Sequence, residues 1–149
     1  MATMFIGHAP VGYIVTTSLL KKVNQLSDRD FKFLFWWGIL ASILPDLDLL
    51  YFYLIDNRQH LHHGYWTHIP IFWICLMSFI LVLGLFKNNK TLHLFSIIGI
   101  ANLMGHMFLD TIVGKIHWLY PFSNKDFFFF EVPAKYDWWV LNFLLHWTF

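Results

Sequence analysis

Nine imidazole or carboxylate side chains stand in or beside the most apolar stretches of this chain: His8, Asp46, Asp48, His60, His62, His63, His68, His106 and Asp110. Ionisable groups in such surroundings are expensive to keep, so they point first to function. His106 and Asp110 are four residues apart in GHMFLD, which puts both on one face of a helix, where an imidazole and a carboxylate can share a metal ion. His63 and His68 are five apart, a spacing that fits a loop better than a helix face. Asp46 and Asp48 alternate directly after Pro45, and both can turn inward only if the helix loosens at the proline. Nitrogen and carboxylate donors without cysteine suit zinc, manganese or iron in a hydrolytic site. Each group also has a plain structural explanation: a hydrogen-bonded interfacial His8, a helix-capping Asp46 or Asp48, a solvated 60–68 loop, a mutual hydrogen bond between His106 and Asp110. Their combination favours the metal. His93, His117 and His146 have no such company and read as structural.

The elements that must position these groups follow from composition. Of the 149 residues, 58% are hydrophobic and 21% aromatic, while Asp, Glu, Lys and Arg make up only 13%, about half the usual share of a soluble domain. The net charge of +1, with its basic residues scattered, offers no footprint for nucleic acid. Cys75 is the lone cysteine, so no intramolecular disulfide can form, and a small apolar packing role suits it. The expected class is all-α: a single-domain polytopic membrane bundle of about four transmembrane helices near 5–20, 32–54, 69–86 and 91–113, with a short interfacial helix in the 136–149 tail. Gly7, His8 and Pro10, with no basic residues before them, argue for a retained N-terminal segment rather than a cleaved signal. The run Phe127–Phe130 beside Trp138 and Trp139 reads as an interfacial aromatic belt.

Alternating threading gives the polar residues a geometric meaning. His8 opens the first span, Asp46 and Asp48 fall late in the second, His63 and His68 precede the third, and His106 and Asp110 close the fourth. All four places then lie at one end of the bundle. Lys21, Lys22, Arg29, Lys32, Lys87 and Lys90 crowd the other end, against Arg58, Lys115, Lys125 and Lys135 on the ligand side. That bias places the site at the non-cytoplasmic face. A metal there would activate water, and whichever of Asp46 and Asp48 is not a ligand would orient or deprotonate it. Two other classes compete. A metal or proton transporter needs a polar path to both faces, which the middles of the first and third spans lack. A membrane haem protein with two axial histidines would leave PDLD unexplained.

Five segments carry a family resemblance: GHAPVG (7–12), LPDLD (44–48), HHGYWTH (62–68), GHMFLD (105–110) with Thr111, and YPFS (120–123). In this order and spacing the chain resembles the YdjM-like family of bacterial inner-membrane, metal-dependent hydrolases. The family usually reads His-Arg-Gly-x-Thr-His in the third block, where this chain has Gly64 in place of the arginine. The family is in turn distantly similar to zinc-dependent phospholipase C and single-strand nucleases. That likeness implies one to three divalent ions, most simply zinc, held by His8, one of Asp46 and Asp48, His63 or His68, His106 and Asp110, with Asp110 bridging two of them. It also implies cleavage of a phosphoester on a lipid or lipid-linked substrate drawn from the bilayer.

Overall fold

The computed structural model describes residues 2–57, 59–60, 62–130, 135–136, 141–142 and 145. Five α-helices follow one another among them: α1 (Ala2–Leu20), α2 (Asp28–Ile43), α3 (Asp48–Leu54), α4 (Pro70–Phe86) and α5 (Lys90–Asp110). Short 3-10 turns lie at Pro45–Leu47, His62–Gly64 and Trp66–His68. The only β-pairing among the described residues is an isolated bridge between Ile116 and Phe127, so the all-α class holds.

Local chemistry sets the helix ends. Ser27 caps α2 by accepting from the Asp30 amide at 3.1 Å, and Asp28 and Asp30 sit at the positive end of the helix dipole. Asn89 caps α5 through the Leu92 amide, and Pro70 opens α4 where its missing N–H costs nothing. The span expected over 32–54 is instead broken. Pro45 cannot donate to the ladder, so α2 stops at Ile43, one 3-10 turn follows, and α3 leaves at a 57° bend. The chain threads as expected, up and down. Lys90 Nζ donates to the Asn24 carbonyl, tying the α1–α2 loop to the α4–α5 loop at one end of the bundle.

Four membrane spans are more than length and composition support. Among the described residues α5 is long and apolar enough to cross a bilayer, α2 with Pro45–Leu54 adds a second if the bent pair counts as one, and α4 is apolar but has only 17 residues. The outward surface is nonetheless oily: Trp36, Phe79, Leu85 and Phe86 all face away from the bundle. Cys75 is exposed as well, so it does not fill the packing role expected of it. Phe128 and Phe129 are exposed. Trp138, Trp139, His146, Arg58 and most of the proposed C-terminal helix lie outside the described residues.

Helix α5 is the hub, packing against α1, α2 and α4. Its inner face carries Ile98, Leu103 and Met107, which meet Leu34, Ala41, Trp73 and Met77. Trp37 stacks on Phe95 at 4.0 Å and donates its indole N–H to the Phe95 carbonyl. Two glycines set how close α1 and α2 can come. A Cβ on Gly12 would run into Ser42, and one on Gly38 would run into Thr16 and lie 2.9 Å from Ile98. Small residues at such crossings let membrane helices gain close packing. We therefore expect Gly38→Ala to destabilise the bundle by about 1–3 kcal/mol. Gly105→Ala, whose Cβ meets nothing within 4 Å, should be neutral or stabilising by up to about 1 kcal/mol. Thermal unfolding of the detergent-purified variants checks both.

Candidate metal centre

The cluster grows from the last turn of α5. His106 and Asp110 share a face there, with His106 Nε2 3.0 Å from Asp110 Oδ2. From the first half of α1, His8 brings its Nε2 to 3.1 Å from Asp110 Oδ1 and 3.6 Å from Asp46 Oδ2. Its ring stacks on that of His106 at 3.8 Å. Asp46 enters from the 3-10 turn that follows the break in α2, and its other oxygen lies 3.7 Å from His68 Nε2 and 3.8 Å from His106 Nε2. His68, at the end of the Trp66–His68 turn, places Nε2 3.5 Å from Asp110 Oδ2. His63 reaches the same oxygen at 3.8 Å. All of these except the partly covered His63 are buried.

Ligand atoms of His8, Asp46, His106 and Asp110 fall within 4.8 Å of one another, and those of His63, His68 and Asp110 do the same. The two groups share Asp110. Six of the seven expected ligands are thus brought together, in an arrangement that can hold a metal ion. Asp48 is not. Its Oδ2 accepts from His68 Nδ1 at 2.8 Å and from the Thr67 hydroxyl, so it stands behind the histidine. His60 is also apart, its ring largely in solvent and paired with Asp56 at 2.7 Å. His117 pairs with Asp126 at 3.3 Å, away from the cluster.

The outer contacts fix which nitrogen of each ring faces inward. His106 Nδ1 donates to the Ser42 carbonyl at 2.7 Å. That carbonyl lies in the last turn of α2, where helix termination leaves acceptors without ladder partners. His68 Nδ1 donates to Asp48. In their neutral form, with the proton held on Nδ1, both rings turn an Nε2 lone pair inward, and these nitrogens sit only 3.4 Å apart. Facing them are Asp46 Oδ1, at 3.7 and 3.8 Å, and buried Asp110 Oδ2, which has no hydrogen-bond partner among the described residues. Lone pairs and carboxylate oxygens repel unless a cation lies between them, so the donor set fits a divalent ion. Carboxylate and carbonyl partners behind the histidines are the usual support of such a centre.

Sequence reasoning passed over several supports. Thr67 adds its hydroxyl to Asp48, and Trp73 steadies it by donating to the Thr67 carbonyl at 2.7 Å. Thr67 precedes His68 directly, a cue present in HHGYWTH. Gly114 makes room for the His63 ring: a Cβ there would overlap the imidazole and come within 2.9 Å of the Asp110 carbonyl. The Ser42 contribution is a backbone oxygen, which no side-chain pattern announces.

A sequence model of the family described as YdjM inner membrane protein matches residues 1–148. No curated protein and no solved structure matches the chain.

Asp110 and Asp48 should separate cleanly in metal binding. Asp110→Asn, which removes the carboxylate common to both groups, should strip the purified protein of bound divalent metal. Asp48→Asn should leave a centre weakened by about 10–100-fold, the usual cost of losing a supporting partner. Metal content by mass spectrometry, followed by chelator competition, gives both values. Equal metal content in the wild type and both variants would remove the cluster from consideration as a centre.

Proposed function

Because the chain belongs to the YdjM inner membrane protein family, we propose that it is a membrane-embedded, metal-dependent hydrolase cleaving a phosphoester of a lipid or lipid-linked substrate. The observation that carries this reading is the pair of inward-facing Nε2 atoms of His68 and His106, set against Asp46 Oδ1 and the unpartnered Asp110 Oδ2. A bound divalent ion, zinc being the simplest choice for this donor set, would polarise the phosphoryl oxygen and lower the pKa of water toward about 7.

The protein's own groups do the rest. Asp48 with Thr67, and the Ser42 carbonyl, hold the rings of His68 and His106 so that neither must reorient during turnover. Asp46 would hold the ion through Oδ1, which faces the histidine nitrogens, and its Oδ2, the oxygen without a hydrogen-bond partner, is the base for the proton of the attacking water. Asp48 is already engaged by two donors and acts as the orienting carboxylate. Burial of the cluster keeps bulk water away and strengthens each of these interactions.

Four spans, with the site at the non-cytoplasmic face, complete the proposal and suit a substrate whose tails stay in the bilayer. A transporter is less well supported. Away from the cluster the buried polar contacts pass to Asn102 and Thr16, beyond which Leu20, Leu34 and Ile98 close the interior.

The test is hydrolysis of a chromogenic phosphodiester and of a phospholipid by the detergent-purified protein. Turnover should vanish with a chelator, return with zinc, and fall by at least about 100-fold in Asp46→Asn. Activity indifferent to chelation, or a metal-loaded protein inert on every phosphoester offered, would sink the hydrolase.

A further inference from the structure

Behind the centre lies a pocket of about 1030 Å³ that the cluster does not use. It opens where α2 gives way to α3, and the turns spanning 62–68 form its other wall. Four aromatic rings line it, those of Tyr51, Tyr65, Trp66 and Trp73, together with two carboxylates, Asp48 and Asp56. Tyr51 and Tyr65 meet edge to face at 5.5 Å, and Trp66 and Trp73 lie 6.3 Å apart, tilted by 33°. Among the described lining residues none is Lys or Arg. The pocket also adjoins the metal centre. Gly64 on its wall follows His63 in the chain, and Asp48 on its wall holds His68.

Aromatic faces with carboxylates between them attract a cation and repel a bare anion. Asp56 keeps its charge: hydrogen bonds from the His60 ring and backbone amide lower its pKa to about 2. Besides the charged end, Leu44 and Leu47 add apolar wall. The volume exceeds what a small ammonium ion fills and suits a headgroup with the start of its acyl chains.

We infer that this pocket seats the ammonium-bearing headgroup of a membrane lipid. That this lipid is the substrate rests on the hydrolase reading above; that the pocket selects a cationic headgroup does not. Tyr51, Tyr65, Trp66 and Trp73 enclose the ammonium, Asp56 supplies the countercharge, and the lipid phosphate is left on the side nearest His63.

Calorimetric titration of the detergent-purified full chain at pH 8 tests this with three probes: dihexanoyl phosphatidylcholine, dihexanoyl phosphatidylglycerol and tetramethylammonium chloride. Phosphatidylcholine should bind at least about tenfold more tightly than phosphatidylglycerol. Asp56→Asn, which keeps the shape, should bring that ratio close to one. Trp66→Ala should do the same, and Trp66 is exposed enough for the fold to tolerate it. Gly64→Arg, built into open space, should reverse the preference. Equal or tighter phosphatidylglycerol binding by the wild type would overturn the proposal, as would an unchanged ratio in Asp56→Asn. Tetramethylammonium binding as tight as the lipid would mean a free-cation site and also overturn it. The preference should survive in Asp110→Asn. A lipid bound selectively but never hydrolysed would overturn the enzyme while leaving the pocket; hydrolysis without headgroup preference would do the reverse.

Discussion

Two buried carboxylates, Asp46 and Asp110, are the constraint around which this molecule is organised. Burying an isolated carboxylate costs several kcal/mol even after the protein relaxes around it. Among the described residues it is the imidazoles of His8, His63, His68 and His106 that stand against them and offset that cost. Those four rings arrive from α1, from the turns before α4 and from α5. The topology is therefore the one that closes this cluster: α5 at the hub, α1 and α2 pressed together at Gly12 and Gly38, and the 62–68 turns folded back over the end.

The break in α2 serves the cluster twice. By stopping the helix at Ile43, Pro45 carries Asp46 and Asp48 onto a tight turn in which successive side chains no longer follow helical spacing. One faces the cluster of His8, His106 and Asp110 and the other stands behind His68. The same termination frees last-turn carbonyls, and Ser42 uses its own to fix the tautomer of His106. A continuous helix could do neither. A residue that looks like a defect in a membrane span is thus a positioning device, consistent with irregular backbone at membrane depth being tolerated where it is buried in protein.

Much of the candidate site was legible because few other residues could compete. With so little charge in the chain, each buried histidine or aspartate stood out, and alternating threading placed His8 beside Asp110 across about a hundred residues of sequence. The helical spacing of His106 and Asp110 was readable for the same reason. What stayed hidden was the division of labour between Asp46 and Asp48, since a turn's geometry decides it and both residues share one pattern. The roles of Ser42 and Gly114 were hidden too, because a backbone carbonyl and a missing Cβ leave no chemical signature. Span count was less legible: apolar composition marks α4 and the bent α2–α3 pair as oily but does not measure how far each reaches.

The shared carboxylate Asp110 also orders events as the chain is made. Its partner His8 leaves the ribosome about a hundred residues earlier, and Asp46, His63 and His68 follow while α5 does not yet exist. During that interval several polar side chains enter an oily environment with their counterpart still unsynthesised. A chain lacking α5 would therefore leave His8, Asp46, His63 and His68 without the His106 and Asp110 that complete the cluster. Arrival of α5 supplies His106 and Asp110 together, so the cluster closes only once that helix has been made.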